Sequence, residues 1–210
     1  GTDVAVYTHV RADPLGRQGT VAAYRGVKRR LAELLAPTGA LVLNDEDPVS
    51  RDFATATDAP VVRYSRGEPP AGGIGIVDGW IVADDVRRLA AAGGGRAMTG
   101  PGGRVLPLES IPLPGTHSRS NVAAAVATGL LLGVAPDAIR RAVEAFPGVE
   151  HRLEIVAVAD GVRYVNDSQG TQPDAVIAAL RAFPAPVVLI AGGRDKGVPM
   201  DELAASVAER

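Results

Sequence analysis

The chain has 210 residues, 46% of them apolar and 22% charged, with a net charge of -2 and no cysteine. Such a composition belongs to a globular, core-forming protein; interspersed signs without a basic run argue against a nucleic-acid or anionic-lipid surface, and the missing thiols exclude disulfides and thiolate chemistry and suit the cytoplasm. The longest apolar runs, such as GLLLGVA at 129–135, are far short of a membrane span, so no membrane insertion is expected.

In chain order, Val4 to His9 reads as a short buried strand. Thr20 then caps a helix whose apolar positions Val21, Tyr24, Val27, Leu31, Leu34 and Leu35 follow helical spacing, and Pro37 and Gly39 end it. ALVLN (40–44) is a second buried strand, Asp45 to Asp47 begin a short helix, and PVVRYS (60–65) is a third strand. This is the alternation of a parallel sheet covered by helices. From Gly72 two short β-prone runs are joined by Asp78-Gly79, a strong hairpin signal. A glycine-rich loop over 91–107 precedes the closing of a second hairpin. Helices follow from about His117 to Leu132 and from about Pro136 to Phe146, the second with Ala138, Ile139, Ala142, Val143 and Phe146 on one face.

FPGVEHR (146–152) is a Pro/Gly break after which the rhythm restarts, and a domain boundary is expected there, dividing 1–149 from 150–210. LEIVAVA and GVRYVN read as strands around Asp160-Gly161. A helix then carries Val176, Ala179, Leu180 and Phe183 on one face. PVVLIAGG has the uniformly apolar composition of a central parallel strand buried on both sides, and DELAASVAE begins a last helix. The first residues are already strand-like, with no initiator Met or signal-peptide pattern, and the last stand inside a helical pattern, so both ends read as cut.

Two stretches fall where a doubly wound sheet places its ligands: NDSQGT (166–171) after one strand and GGRDK (192–196) after another. Asp167 could accept from a ribose, Ser168 and Thr171 could donate to a carboxylate or phosphate, and Lys196 would supply a point charge. If 162–165 and 187–191 are strands of one parallel sheet, Asp167, Thr171 and Lys196 surround a common crevice. The plainer alternative has Asp167 and Thr171 capping the helix at Pro173 and Lys196 solvated. Lys28, at the edge of its helix's apolar stripe, is either a snorkelling lysine or a functional one. His117 and Asn121 share a helix face, and His151-Arg152 lie in the Pro/Gly break. No GxxxxGK[ST] occurs, so a Walker P-loop is absent from these 210 residues.

These residues together resemble the Mur ligase family, and within it the D-glutamate-adding branch. DPLGRQGTVAAYRGVK (13–28) looks like the family's DHLDRHGSxxxYxxxK, and NDEDP (44–48) like its NxDDP. GTHSRSN (115–121) resembles the HNxxN helix start, FPGVEHRLE (146–154) resembles FPGLPHRLE, and NDSQGT with GGRDKG resembles NDSKxT with GGxDKG. The resemblance implies an α/β fold: part of a central ATPase domain over 1–149, its P-loop missing, followed by the first part of a Rossmann-like domain over 150–210.

It also implies an ATP-dependent amide-bond-forming ligase of peptidoglycan precursor synthesis. ATP and Mg2+ would activate the carboxylate of UDP-N-acetylmuramoyl-L-alanine as an acyl phosphate, which the amine of D-glutamate attacks; a chain of this length is expected to be inactive alone. The alternative is a non-catalytic nucleotide-binding or interaction protein derived from such a ligase. By position, Lys28 matches the carbamylated lysine that ligates magnesium. Asn121, His151, Arg152 and Asp167 match nucleotide contacts, while Ser168, Thr171 and Lys196 match the D-glutamate side. Pro14, Gly16, Ser118 and Gln169 stand where the pattern has His, Asp, Asn and Lys.

Overall fold

A computed structural model describes residues 2–10, 20–193 and 197–210. The chain divides into two compact units. The first comprises Gly1–Pro112 and Arg119–Ala145; the second comprises Leu113–Ser118 and Phe146–Arg210.

The first unit is a six-stranded sheet in the order β1-β2-β3-β4-β5-β6. Strands β1 (Thr2–Tyr7), β2 (Leu35–Asn44), β3 (Val61–Tyr64) and β4 (Ile74–Val77) pair in parallel, and β5 (Trp80–Ala83) and β6 (Arg104–Pro107) continue the sheet antiparallel. β2 is buried on both sides because its alternate residues serve two cores. Ala40 and Val42 join one with Tyr64, Ile74, Ile81, Leu106 and helix α3 (Thr116–Leu131), while Leu41 and Leu43 join another with Tyr7, Ala32 and Phe53. Alanines and valines of α3 let that helix sit close on the sheet, and α4 (Pro136–Glu144) adds Ile139. Asp78 and Gly79 take φ of 48° and 77°, which is what a tight hairpin between β4 and β5 needs.

Helix α1 (Val21–Glu33) begins where expected, with Thr20 Oγ1 accepting from Ala23 N at 3.1 Å. Only part of its spaced apolar stripe is buried: Tyr24 packs with Ala32 and with Leu35, which already belongs to β2, whereas Val27 and Leu34 are 56% and 57% exposed. Short helix α2 (Pro48–Asp52) is capped by Asp47, whose carboxylate accepts from Ser50 N.

In the second unit β7 (Glu154–Ala159) and β8 (Val162–Asn166) form an antiparallel hairpin on Asp160-Gly161, followed by α5 (Pro173–Ala182) and α6 (Asp201–Ala208). Ile177, Leu180 and Leu153 are its buried apolar residues. The run PVVLIAGG departs from expectation. It is not a strand, and Val188 and Ile190 are 89% and 95% exposed. A strand buried on both sides needs a hydrogen-bonded neighbour along each edge, and among the described residues none pairs with it. β8 pairs antiparallel with β7, so the parallel-sheet route to a crevice shared by Thr171 and Lys196 is not realised. Among the described residues no helix is long and apolar enough to cross a membrane.

Candidate functional site

The polar turn after β8 is built around its own side chains. Asn166 Oδ1 accepts from Ser168 N at 3.1 Å, and Gly170 N closes on the Asp167 carbonyl at 2.8 Å. Asp167 Oδ1 accepts from Leu153 N at 3.0 Å. The N-cap of α5 is Gln172, so Asp167 does not cap that helix; its carboxylate reaches back to the 150–153 segment instead. Asn166 Nδ2 meets His151 Nδ1 at 2.9 Å, and Gln169 N donates to the His151 carbonyl at 3.1 Å. His151 and Arg152 are thereby brought to the same turn as Asp167 and Ser168.

His117 joins them electrostatically. It is partly buried, and burial pushes its imidazole pKa below the ordinary value; the positive charge of Arg152 adds to that depression and Asp167 opposes it. His117, Arg152 and Asp167 therefore share one neighbourhood, holding a cation, an anion and a ring that favours neutrality. Ser118 is buried, and its hydroxyl donates to the Pro114 carbonyl at 2.6 Å. Ser168 is exposed, and Thr171 N donates to the Gln169 carbonyl at 2.9 Å.

Lys28 and Asn121 belong to the first unit. Lys28 is exposed on α1, with Nζ 5.4 Å from the centre of the Tyr24 ring, while its carbonyl accepts from the Tyr7 hydroxyl. Asn121 is exposed on α3. One residue earlier on that helix, Ser120 hydrogen-bonds the buried Tyr64 hydroxyl, whose pKa burial drives upward. Tyr64 Oη also lies 3.4 Å from the Tyr7 carbonyl. The exit of β1 is tied down further: Asn44 Nδ2 donates to the Thr8 carbonyl at 2.8 Å and Asp47 Oδ2 accepts from Val10 N at 3.1 Å. Sequence reasoning assigned NDEDP no individual roles, and this anchoring is what Asn44 and Asp47 do.

Pro14, Gly16 and Lys196 lie outside the described residues. Asp167 with Arg152 has the donors and acceptors for a ribose and a phosphate. Magnesium is different: among the described residues no three His, Asp or Glu side chains gather to hold a metal, and an uncarbamylated Lys28 is a cation over an aromatic face. The described donor set does not itself make a magnesium site. Sequence reasoning also missed the part played by Asn166 and Gln169, and a polar turn denser than reversal requires was the only signal for it.

A model of the Mur ligase middle domain matches residues 1–129. The chain is 42% identical over 219 aligned residues to a UDP-N-acetylmuramoylalanine--D-glutamate ligase of Roseiflexus sp. strain RS-1, and 42% identical over 207 to one of Symbiobacterium thermophilum. Each alignment covers 99% of this chain and 43% of the relative, so the chain spans less than half the length of these relatives. Among solved structures, MurF from Acinetobacter baumannii matches with TM-score 0.60 at 19% identity, covering 86% of this chain and 37% of that one. A mutant of L. casei FPGS matches with TM-score 0.59 at 20% identity, covering 98% and 47%. At these identities the structural likeness speaks for the fold.

Proposed function

We propose that this chain, which belongs to the Mur ligase family, is the portion of a cytoplasmic ATP-dependent ligase that adds D-glutamate to UDP-N-acetylmuramoyl-L-alanine during peptidoglycan precursor synthesis. The observation that carries the reading is similarity along 99% of the chain, both units included, to relatives that bear that name. The second-unit turn supports it, since Asp167 offers a hydroxyl acceptor and Arg152 a phosphate partner, both near enough to His117 to act on its ring.

In this reading residues 1–149 are part of a central ATPase domain and residues 150–210 are the beginning of a Rossmann-like domain. Asp167 accepts from the ribose hydroxyls, Arg152 and His151 face the phosphates, and Asn121 contacts the nucleotide from its own helix. Ser168, Thr171 and Lys196 serve the carboxylates of D-glutamate, which ammonium and hydroxyl donors suit. Lys28 is the site for a carbamate: its neutral amine reacts with carbon dioxide, turning a cation into an anion that suits Mg2+. That reaction would supply a charge the described donor set lacks.

The test is phosphate release with ATP, Mg2+, UDP-N-acetylmuramoyl-L-alanine and D-glutamate. The product of the complete open reading frame should release phosphate only when both acceptors are present. The 210-residue chain, with no GxxxxGK[ST] stretch to cradle the β- and γ-phosphates, should release none. Pro14, which offers no metal ligand where the family pattern has His, favours a second reading: a nucleotide-binding protein without ligase activity. Nucleotide binding by the complete product without D-glutamate-dependent turnover would select that reading.

A further inference from the structure

The turn after β8 directs its polar atoms at one short segment. Asp167 Oδ1 takes the amide of Leu153, Asn166 Nδ2 meets His151 Nδ1, Gln169 N donates to the His151 carbonyl, and Gln169 Nε2 donates to the Glu150 carbonyl at 3.3 Å. Because Asn166 Oδ1 already accepts from Ser168 N, its amide nitrogen is the atom facing His151. The segment so held is unusual: His151 and Leu153 have φ of 63° and 48°, left-handed conformations that non-glycine residues adopt rarely and that their surroundings must maintain. Arg152 sits between them, so the course of the main chain from which its side chain leaves is set by both.

We propose that Asn166 and Gln169 are positioning residues that lock residues 150–153 in this left-handed form and so present Arg152 beside Asp167 for the phosphate of a bound nucleotide. The proposal rests on the nucleotide reading above. It gives Gln169 a role of its own: where the family pattern has Lys, this chain keeps a donor of similar reach and points it at a main-chain carbonyl.

Gln169→Glu is the discriminating substitution, because it preserves shape and sets an acceptor against the Glu150 carbonyl, whereas Gln169→Lys retains a donor. Amide hydrogen exchange of the 210-residue chain should show Leu153 and Gln169 exchanging about three- to tenfold faster in Gln169→Glu, the factor that goes with one hydrogen bond. Gln169→Lys should return both to near the parent rates. In the product of the complete open reading frame, Gln169→Glu should weaken ADP binding by a similar factor, with the Michaelis constant for D-glutamate unchanged and Gln169→Lys restoring affinity. Unchanged exchange at Leu153 in Gln169→Glu overturns the lock. Faster exchange with unaltered ADP affinity makes Gln169 purely structural and overturns the positioning role. If the parent binds no ADP, the nucleotide reading fails and takes that role with it, while the exchange rates still judge the lock separately.

Discussion

Replacing Asp47 with Ala should destabilise the first unit by roughly 2–4 kcal/mol, from effects that can be separated. Asp47 Oδ2 accepts from Ser50 N at 2.9 Å, from the Ser50 hydroxyl, and from Val10 N at 3.1 Å. Loss of the α2 cap costs about 1 kcal/mol. Leaving a buried donor unsatisfied costs about 1–3 kcal/mol, and Val10 and Ser50 are both buried. The chain's single tryptophan, Trp80, lies in β5 of the same sheet, so its fluorescence in a urea titration reports this unit. Ser50→Ala should cost far less than Asp47→Ala, since it removes a donor and leaves the carboxylate its two backbone partners. Asp47→Asn, which keeps one acceptor oxygen, should fall between. An Asp47→Ala loss under about 1 kcal/mol would show that the exit of β1 does not depend on this carboxylate.

Four further outcomes test other parts of the description. By NMR titration, Arg152→Gln should raise the His117 pKa and Asp167→Asn should lower it further, since the two charges act on the ring with opposite sign. A depressed histidine pKa means the unfolded chain protonates first, so this contribution to stability is complete above about pH 6.5 and is lost as pH falls; His117→Gln should flatten that limb of the stability profile. Gly75→Ala should destabilise by more than about 2 kcal/mol in the same urea titration, because the added Cβ would lie 2.3 Å from Pro69 N and 2.5 Å from the Gly67 carbonyl oxygen, backbone that cannot swing aside. Ile190→Asp should change the stability of this chain by no more than about 0.5 kcal/mol, as suits a fully exposed side chain; a large loss would mean that the run is packed after all.

Local rules made much of the fold legible. Asp-Gly turns give both tight hairpins, Thr20 gives the start of α1, and the apolar alternation of β2 gives a strand with a core on each side. What failed in each case depends on a partner. Periodicity shows that α1 has an apolar stripe, but how much of that stripe is buried depends on the sheet it packs against. PVVLIAGG has the composition of a central strand, yet a strand exists only where another pairs with it, and neighbours are not written in the run itself. Nor does the sequence announce that Leu113–Ser118 groups with the second unit; Pro112, Pro114 and Gly115 mark a break there without saying which side of it the segment joins.

The two described departures from the family pattern behave alike, and their chemistry explains how the surrounding turns retain their form. Ser118, in place of Asn, is buried and donates to the Pro114 carbonyl; Gln169, in place of Lys, donates to the Glu150 carbonyl. Both substitutions keep a hydrogen-bond donor, and both direct it at a main-chain carbonyl earlier in the chain. What is lost is outward reach: a hydroxyl spans less than a carboxamide, and a carboxamide carries no charge to a phosphate. In the reading proposed above, changes of this kind keep the turns folded and leave Arg152, between the two left-handed positions His151 and Leu153, to carry the charge for a nucleotide. Arg152→Lys should therefore weaken ADP binding by the complete product although the charge is kept, because the planar fork that meets two phosphate oxygens at once is replaced by a point charge. Equal affinity in Arg152→Lys would mean that the site asks only for positive charge and that the held geometry of residues 150–153 is not used in binding.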